Sequence, residues 1–538
     1  LAESLESTDS DSEKAAVAEI AALISEGKVE SRIQLERLKK SKAVEHGLNR
    51  FLPNSSILMA LAESERHQWS ELLRIHPRRS ASGIIIVTVF SAPFACPHGT
   101  CVFCPGGPRL GTPQSYMPDG PSQRIAKGLY YDPYLQARRS LKKYYEKGHD
   151  TSKAETIIEG GTFIALPMDY QQPFVKSVYD GLNGCRSGSL EDAQTANETS
   201  GSRCVGLTIE SKPDWCKPEH IDLMLSYGVT RLEIGVQSLH DRPLKLSNRG
   251  HTVEDTVHAF QVARDAGLKV CAHMMPGLPG ANPEMDLEDL KRLFEDESFR
   301  PDMTKLYPTL VVRETALERM QAAGLYKAYD LGSVVDLLAE MKRHVPRWHR
   351  IMRIMREIPE KDIRGGADAG NLRELVLRRV AEMGYSCGCI RCREVALDSP
   401  VDLEDDELVL TKQEYAASGG TEVFASYEYS KANKIAGFIR MRHPSADAHR
   451  NEMKQERTCV VRELKVYGRV VAVGEKRNED AWQHRGLGAS LLREMEVVAR
   501  ERFDAKRLLV TSAVGTRSYY RRFGYERAGP YMSKGPLG

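Results

Sequence analysis

The chain has 538 residues, 41% of them hydrophobic and 28% charged, with 76 lysines and arginines against 74 acids. That length allows about three domains of ordinary size, and the composition excludes small disulfide-stapled, collagen-like and disordered chains. A net charge of +2 excludes a global field for nucleic acid, so a polyanion would have to be gripped locally.

Charge is distributed unevenly at the N-terminus. Leu1 to Gly27 holds seven acids and one lysine, and without a basic start ahead of an apolar block it is not expected to be a secretory signal. Lys28 to Arg79 holds eleven lysines and arginines against six glutamates and has helical patterning. Arg32, Arg37, Lys39, Lys40, Lys42, Arg78 and Arg79 are its candidate phosphate contacts, and an ordinary solvated helix surface is the alternative. The most apolar stretch, Gly83 to Ala95, is interrupted by Thr88, Ser91 and Pro93 and falls short of the roughly 20 residues that span a bilayer.

Strand patterns follow at 83–91, 155–163, 204–211, 231–238, 269–277 and 303–312, with helical patterns between them at 218–227, 253–266 and 285–294. Such alternation predicts βα units around a parallel sheet, with the chemistry at the carboxyl ends of the strands. The polar segment 185–204 is expected to be a loop or hairpin, and 313–384 a helical linker with a basic stretch at 342–357. Beyond Cys392 come three further strands, a helix from Gly486 to Phe503 and a strand at 507–514, which predict a separate α+β domain.

Eleven cysteines without an export signal, six of them clustered, point to metal ligation in a reducing, cytoplasmic compartment. Cys96, Cys101 and Cys104 lie directly after the first strand. Three thiolates on one loop can hold three irons of a four-iron cluster and leave the fourth open to chelate S-adenosylmethionine. A zinc knuckle completed by His98 is the competing reading. Gly160, Gly161 and Thr162 end the next strand with exposed backbone for a methionyl amino group, Glu210 is either a partner for a ribose hydroxyl or a surface acid at a strand end, and Gln237 belongs to the same rim.

The segments CPHGTCVFCPGGP, TIESKPDWC, RLEIGVQSL, NRGHT, AHMMPGLP and LYPTLVVR resemble the catalytic subunit of Elongator, a family that modifies the wobble uridine of tRNA. The resemblance covers roughly residues 75 to 538 and implies a radical S-adenosylmethionine partial TIM-type (β/α) barrel joined to a GNAT-like acetyltransferase domain. The fold class is therefore α/β plus α+β. Residues 1–79 form an acidic tail and basic helical RNA-binding segment, 80–312 the barrel, 313–393 the helical linker with a cysteine cluster, and 394–538 the acetyl-CoA domain.

Gln483, His484, Arg485, Gly486, Leu487 and Gly488 precede a helix, where glycines let backbone N–H groups approach a pyrophosphate. In that context they resemble the coenzyme A loop of the GNAT fold. Tyr519 and Tyr520 match that fold's paired tyrosines beside the thioester, with helix packing as the alternative, and Glu463 is either a general base or a structural acid. Cys387, Cys389 and Cys392 are compact enough for structural zinc, with His344, His349, His443 or His449 as the candidate fourth ligand, and free thiols are the alternative.

The family resemblance implies the reaction. A 5′-deoxyadenosyl radical takes hydrogen from the acetyl group of acetyl-CoA, the acetyl radical adds to C5 of uridine 34, and thioester hydrolysis leaves a carboxymethyl group. Lys269, His273, Lys305 and Tyr307 either handle substrate and acetyl group or make structural rim contacts. The implied partner is a tRNA anticodon stem-loop, with no membrane, and the chain acts alone, as a homodimer or with accessory subunits. Two rival functions are a protein lysine acetyltransferase with a merely structural cluster and a non-enzymatic tRNA-binding scaffold.

Overall fold

The computed structural model describes residues 2–75, 80, 82–395, 407–454, 457–467 and 486–537. Strands β1 (Ile85–Phe90), β2 (Lys153–Glu159), β3 (Arg203–Ser211), β4 (Arg231–Gln237), β5 (Lys269–Met274) and β6 (Met303–Leu306) pair in chain order, all parallel. A seventh strand, Arg350–Ile354, pairs with β6. It lies inside the stretch expected to be helical linker. The segment RIMRI reads as part of a basic amphipathic helix, but its Ile351 and Ile354 are buried against the barrel core. The order leaves β1 and the seventh strand as edges, so this is an open, partial barrel.

The segment expected to be a loop at 185–204 carries a helix, Leu190–Asn197. Ser189 starts it by accepting a hydrogen bond from the Asp192 N–H, a cap signal that the Gly/Ser-rich surroundings mask. The N-terminal region folds as four helices, Ala2–Ser25, Arg32–Glu45, Asn54–Ala60 and Glu63–Leu73, around an apolar cluster that includes Ile20, Leu35, Ile57 and Leu73.

The C-terminal domain is a second seven-stranded sheet. Leu408–Ala417, Gly420–Tyr429, Lys434–His443 and Thr458–Val466 run antiparallel in sequence. Thr458–Val466 then pairs in parallel with Arg507–Val510, but only through Val461. Arg507–Val510 ends there, which leaves Arg462–Val466 without a strand partner on that side, a wedge in the sheet beside the helix Leu487–Phe503.

The two sheets are not beads on a string. Val460, Leu509, Val514 and Tyr531 of the C-terminal domain belong to the barrel's own apolar core. Side chains of the C-terminal domain pack so closely on the Gly267 backbone (φ +82°) that a Cβ there would lie 2.3 Å from Thr511 Oγ1. Arg462 makes a bidentate pair with Asp302 at 2.6 and 2.7 Å and also reaches Glu422 at 2.7 Å, while Arg442 bonds Asp265 at 2.6 Å. Burial alone would raise Asp302. The guanidinium groups of Arg462, Arg264 and Arg440 outweigh it and hold the carboxyl well below its usual range.

Candidate functional site

A cavity of about 620 Å³ occupies the carboxyl ends of the barrel strands, lined by Cys96, Cys101, Cys104, Gly161, Glu210, Gln237, Lys305 and Tyr307 among others. The sequence-predicted rim residues thus share one chamber. Gly160 (φ +152°) and Gly161 (φ +85°) adopt backbone that favours glycine, and a Cβ on Gly160 would lie 2.0 Å from Ser91 Oγ. Gly161 faces Cys96, with its would-be Cβ 3.5 Å from the sulfur.

Two of the thiols have close polar neighbours. Cys104 Sγ lies 3.1 Å from Ser115 Oγ, Cys101 Sγ accepts from Arg249 at 3.4 Å, and His98 Nε2 sits 3.2 Å from Cys101. Burial pushes the Cys104 thiol up to about 12 and the His98 imidazole down to about 4. Among the described residues the three-ligand groups whose donor atoms close to within 4.8 Å are Cys387–Cys389–Cys392, Glu233–Cys271–His273 and Glu19–Glu45–His46. The trio at 96, 101 and 104 is not among them. A single zinc draws its sulfurs to about 2.3 Å from one point, whereas a cluster spreads its thiolates over separate irons. Three separated thiols facing a chamber fit the cluster and not the zinc knuckle.

Carboxylates crowd the same chamber. Glu210 accepts from the Tyr116 hydroxyl at 3.0 Å, and burial together with the neighbouring Glu210 raises Glu159 above the usual carboxylate range. Glu233 is fully buried on β4, bonded to His273 at 3.0 Å and to the Lys305 ammonium. Its burial is outweighed by Lys305, which holds it well below its ordinary value. Gln237 ends the strand at φ +73° with a buried, unpartnered Oε1. Glu233, Tyr116 and Arg249 escaped sequence reasoning, although a charge at every second position of Arg231-Leu-Glu233 in an otherwise apolar strand is a signal for an inward-facing ion pair.

Lys269 sits elsewhere. It opens β5 and lines a second cavity of about 350 Å³ at the amino ends of the barrel strands. Arg231, Glu155 and Arg350 face it from the barrel, and Glu463, Lys465 and Tyr520 from the wedge of the C-terminal sheet. Burial lowers Lys465 to about 8 and also lowers Lys269. Glu463 accepts from Arg440 Nε at 2.9 Å, which is the structural role left open for it. Tyr519 packs edge-to-face on Tyr520, and its hydroxyl lies 2.8 Å from where a Cβ on Gly488 would be. Gly486 (φ +76°) caps the helix whose first residue is Leu487. Gln483, His484 and Arg485 lie outside the described residues, as do Arg78 and Arg79.

The N-terminal cations have other employment. Arg32 donates to the carbonyls of Glu71 and Arg74, the buried Lys39 bonds Glu36 and Asn54, and Lys42 pairs with Glu19 and Glu45. They tie the helices to one another, which opposes their assignment as free phosphate contacts, whereas Arg37 and Lys40 remain exposed.

With this geometry in view, three family models match the chain: the ELP3 N-terminal domain over residues 13–81, the radical SAM superfamily over 92–293 and the radical SAM C-terminal domain over 301–382. The tRNA uridine(34) acetyltransferase of Methanocaldococcus jannaschii is 41% identical, with 94% of this chain and 95% of that protein covered. This chain belongs to the Elp3 family. Elongator complex protein 3 of Homo sapiens is 40% identical over 93% of each chain. The solved structure of Methanocaldococcus infernus Elp3 lacking its first 46 residues superposes with a TM-score of 0.74 at 39% identity, covering 84% of this chain and 99% of that one. The chain is accordingly a radical S-adenosylmethionine enzyme with an iron–sulfur cluster, built on the partial barrel with N-terminal helices and a GNAT-like sheet. No helix among the described residues is long and apolar enough to cross a membrane.

Proposed function

We propose that this chain modifies C5 of the wobble uridine of tRNA, drawing a carboxymethyl group from acetyl-CoA. The observation that carries the reading is the pairing of two cavities on one barrel. The chamber at the strands' carboxyl ends contains the thiol trio, and the cavity at their amino ends opens onto the wedge of the GNAT-like sheet. Relatives named as tRNA uridine(34) acetyltransferases support the same substrate.

Cys96, Cys101 and Cys104 hold the cluster, which supplies, when bound, one-electron reduction of the sulfonium of S-adenosylmethionine. Gly160, Gly161 and Thr162 offer backbone to its methionyl end, and Glu210, oriented by Tyr116, accepts from its ribose. Lys305 stays protonated because Glu233 outweighs its burial, so it presents a hydrogen-bond donor to the substrate oxygen in a chamber that Tyr307 also lines. Below, Lys269, Lys465 and Tyr520 line the acyl end of the thioester site, and Gly486 to Gly488 with the residues before them receive its pyrophosphate. The arrest of Glu463 by Arg440 disfavours plain lysine acetylation, which needs a free base there.

Cys387, Cys389 and Cys392 hold a structural zinc. Hydrogen bonds from Cys387 and Cys392 keep Cys389 well below its ordinary range, and Lys342 Nζ lies 3.3 Å from Cys387 Sγ. No histidine joins the three sulfurs within 4.8 Å among the described residues, and His349 reaches the cysteine loop through its backbone. Its Nδ1 faces the Pro301 carbonyl at 2.8 Å, its Nε2 is buried without a partner, and its own carbonyl accepts from Ile390 inside the cysteine loop.

The deciding experiment supplies anaerobically reconstituted enzyme with S-adenosylmethionine, acetyl-CoA and tRNA. Carboxymethyluridine in the tRNA digest, with acetyl-CoA hydrolysis stimulated by tRNA, is the expected result. Acetyl transfer to peptide lysines without any dependence on tRNA or S-adenosylmethionine would overturn the proposal.

A further inference from the structure

Two short helices beside the reaction chamber carry features that the fold does not use. Pro121–Gly128 starts at the chamber wall, with Gly120 to Gln123 among its lining, and Pro133–Tyr145 returns to it at Tyr144. Between them the chain turns through Tyr130 and Tyr131, both in the left-handed region at φ +53° and +57°. Side chains adopt that backbone rarely and at a cost, so something must hold it. Tyr131 does the holding. It is buried, its N–H donates to Ala126 O at 2.8 Å, and its hydroxyl donates to Gly111 O at 2.8 Å. The consequence is that Tyr130 points outward, 90% exposed, and its ring and hydroxyl make no ring contact or hydrogen bond among the described residues.

Cations surround this ring. Arg124 and Lys127 stand one turn apart on the first helix, and Arg139 and Lys143 one turn apart on the second, all exposed. Among the described residues none of the four makes an ion pair, in contrast to Lys142, which pairs with Glu146. Like charges at i, i+3 and i, i+4 repel, so this arrangement works against the helices unless an anion joins them. Arg139 and Lys143 also line a side cavity of about 210 Å³ that shares Ser122, Tyr144 and the edge-strand residues Ile86, Thr88 and Phe90 with the main chamber. The open side of the barrel is thereby flanked by unpaired positive charge leading inward.

We infer that this helical pair is the docking element for the unpaired loop of the RNA substrate: Arg124, Lys127, Arg139 and Lys143 bind successive backbone phosphates, and Tyr130 stacks on an unpaired base next to the one in the chamber. The inference rests on the RNA substrate proposed above. An exposed aromatic among cations is the chemistry of single-strand binding, since every base presents a face to stack on and every phosphate a charge. It also explains why the N-terminal cations are free to brace their own helices: the phosphate contacts lie on the barrel.

The test measures binding of a labelled anticodon stem-loop RNA, and of a duplex RNA of equal length, to the full chain by fluorescence anisotropy across a salt series. Arg139→Glu with Lys143→Glu weakens stem-loop binding more than about tenfold and lowers the salt slope by about 0.7–0.9 per lost phosphate contact. Tyr130→Ala weakens stem-loop binding by about five- to one-hundredfold and leaves duplex binding unchanged, and Tyr130→Phe restores it. Arg378→Glu, an exposed cation on a helix away from the chamber, serves as the charge control and leaves binding unchanged. Thermal midpoints equal to the parent's confirm that the variants fold. Parent-like stem-loop affinity in the charge-reversal pair, or equal losses on duplex and stem-loop RNA in Tyr130→Ala, overturns the assignment while leaving the substrate reading intact. A parent chain that binds no RNA at all overturns both.

Discussion

At the base of the barrel Arg462 meets Asp302 and Glu422, Arg442 meets Asp265, and three cysteine sulfurs converge on one point. At the mouth, by contrast, Glu159 stands beside Glu210, the three thiols do not close to within 4.8 Å of one another, and Gln237 leaves a buried oxygen unpaired. Both regions are buried and rich in ionisable groups, so burial does not distinguish them. Completion does. Where guanidinium and carboxylate are matched, as at Arg462 with Asp302 and Glu422, the chain is fastening two domains together, and where like groups face a cavity, as Glu159 beside Glu210 at the mouth or Lys269 and Lys465 in the lower cavity, the site is built around something that arrives later.

The sharpest separation of the two regions comes from their cysteines. Cys101→Ala lowers iron retention and reductive cleavage of S-adenosylmethionine more than about 100-fold, since losing a ligand exceeds the 10–100-fold cost of disturbing an outer-shell partner. Zinc content and thermal midpoint stay near the parent values. Cys389→Ser does the reverse: zinc falls to background and the midpoint drops by about 5–10 °C, while iron is retained. Metal analysis and calorimetry on the two variants read this directly, and loss of the same metal from both would erase the distinction.

Next in size is the seam itself. Asp302→Asn leaves Arg462, Arg264 and Arg440 short of a buried negative charge and destabilises the chain by about 3–5 kcal/mol in denaturant unfolding. The carboxyl's folded pKa lies well below its unfolded value, so its contribution is complete above about pH 4 and fades only as pH falls through the folded value. Mild acid therefore spares the seam. A parent chain whose two domains separate between pH 6 and 5 would contradict the matched-charge account.

The mouth was far more legible in the sequence than the seam. Cys96, Cys101, Cys104, Gly160, Gly161 and Glu210 advertise themselves because each sits at a strand end in a short local motif, and local motifs survive without knowledge of the fold. Asp302 and Arg462 are 160 residues apart and look like ordinary surface charges until two domains are docked. The same limit applies to Arg32, Lys39 and Lys42. Composition marks them as a cationic surface, but whether a lysine faces solvent or Glu19 is decided by helix packing that a charge count does not see. Tyr130 was silent for a different reason, since its outward placement follows from the backbone angles of a turn whose anchor is the next residue.

The smallest effect, and the one that asks most of the comparison, concerns Glu159. Its folded pKa is raised by burial and by Glu210 above the ordinary value of 4.5, so between those two values the unfolded chain gives up a proton that the folded chain keeps. Stability contributed by the protonated carboxyl is present below pH 4.5 and is lost as pH rises toward the folded value, at up to about 1.4 kcal/mol per pH unit. Glu159→Gln keeps the neutral shape and removes the titration. Unfolding midpoints of apo parent and variant should therefore coincide near pH 5 and diverge toward pH 8, with the variant the more stable. A cationic ligand in the chamber favours the charged carboxylate, so S-adenosylmethionine should narrow that gap in the parent and release a proton on binding. Parallel pH profiles for the two proteins would mean that Glu159 is already ionised, and that the mouth is as well matched as the seam.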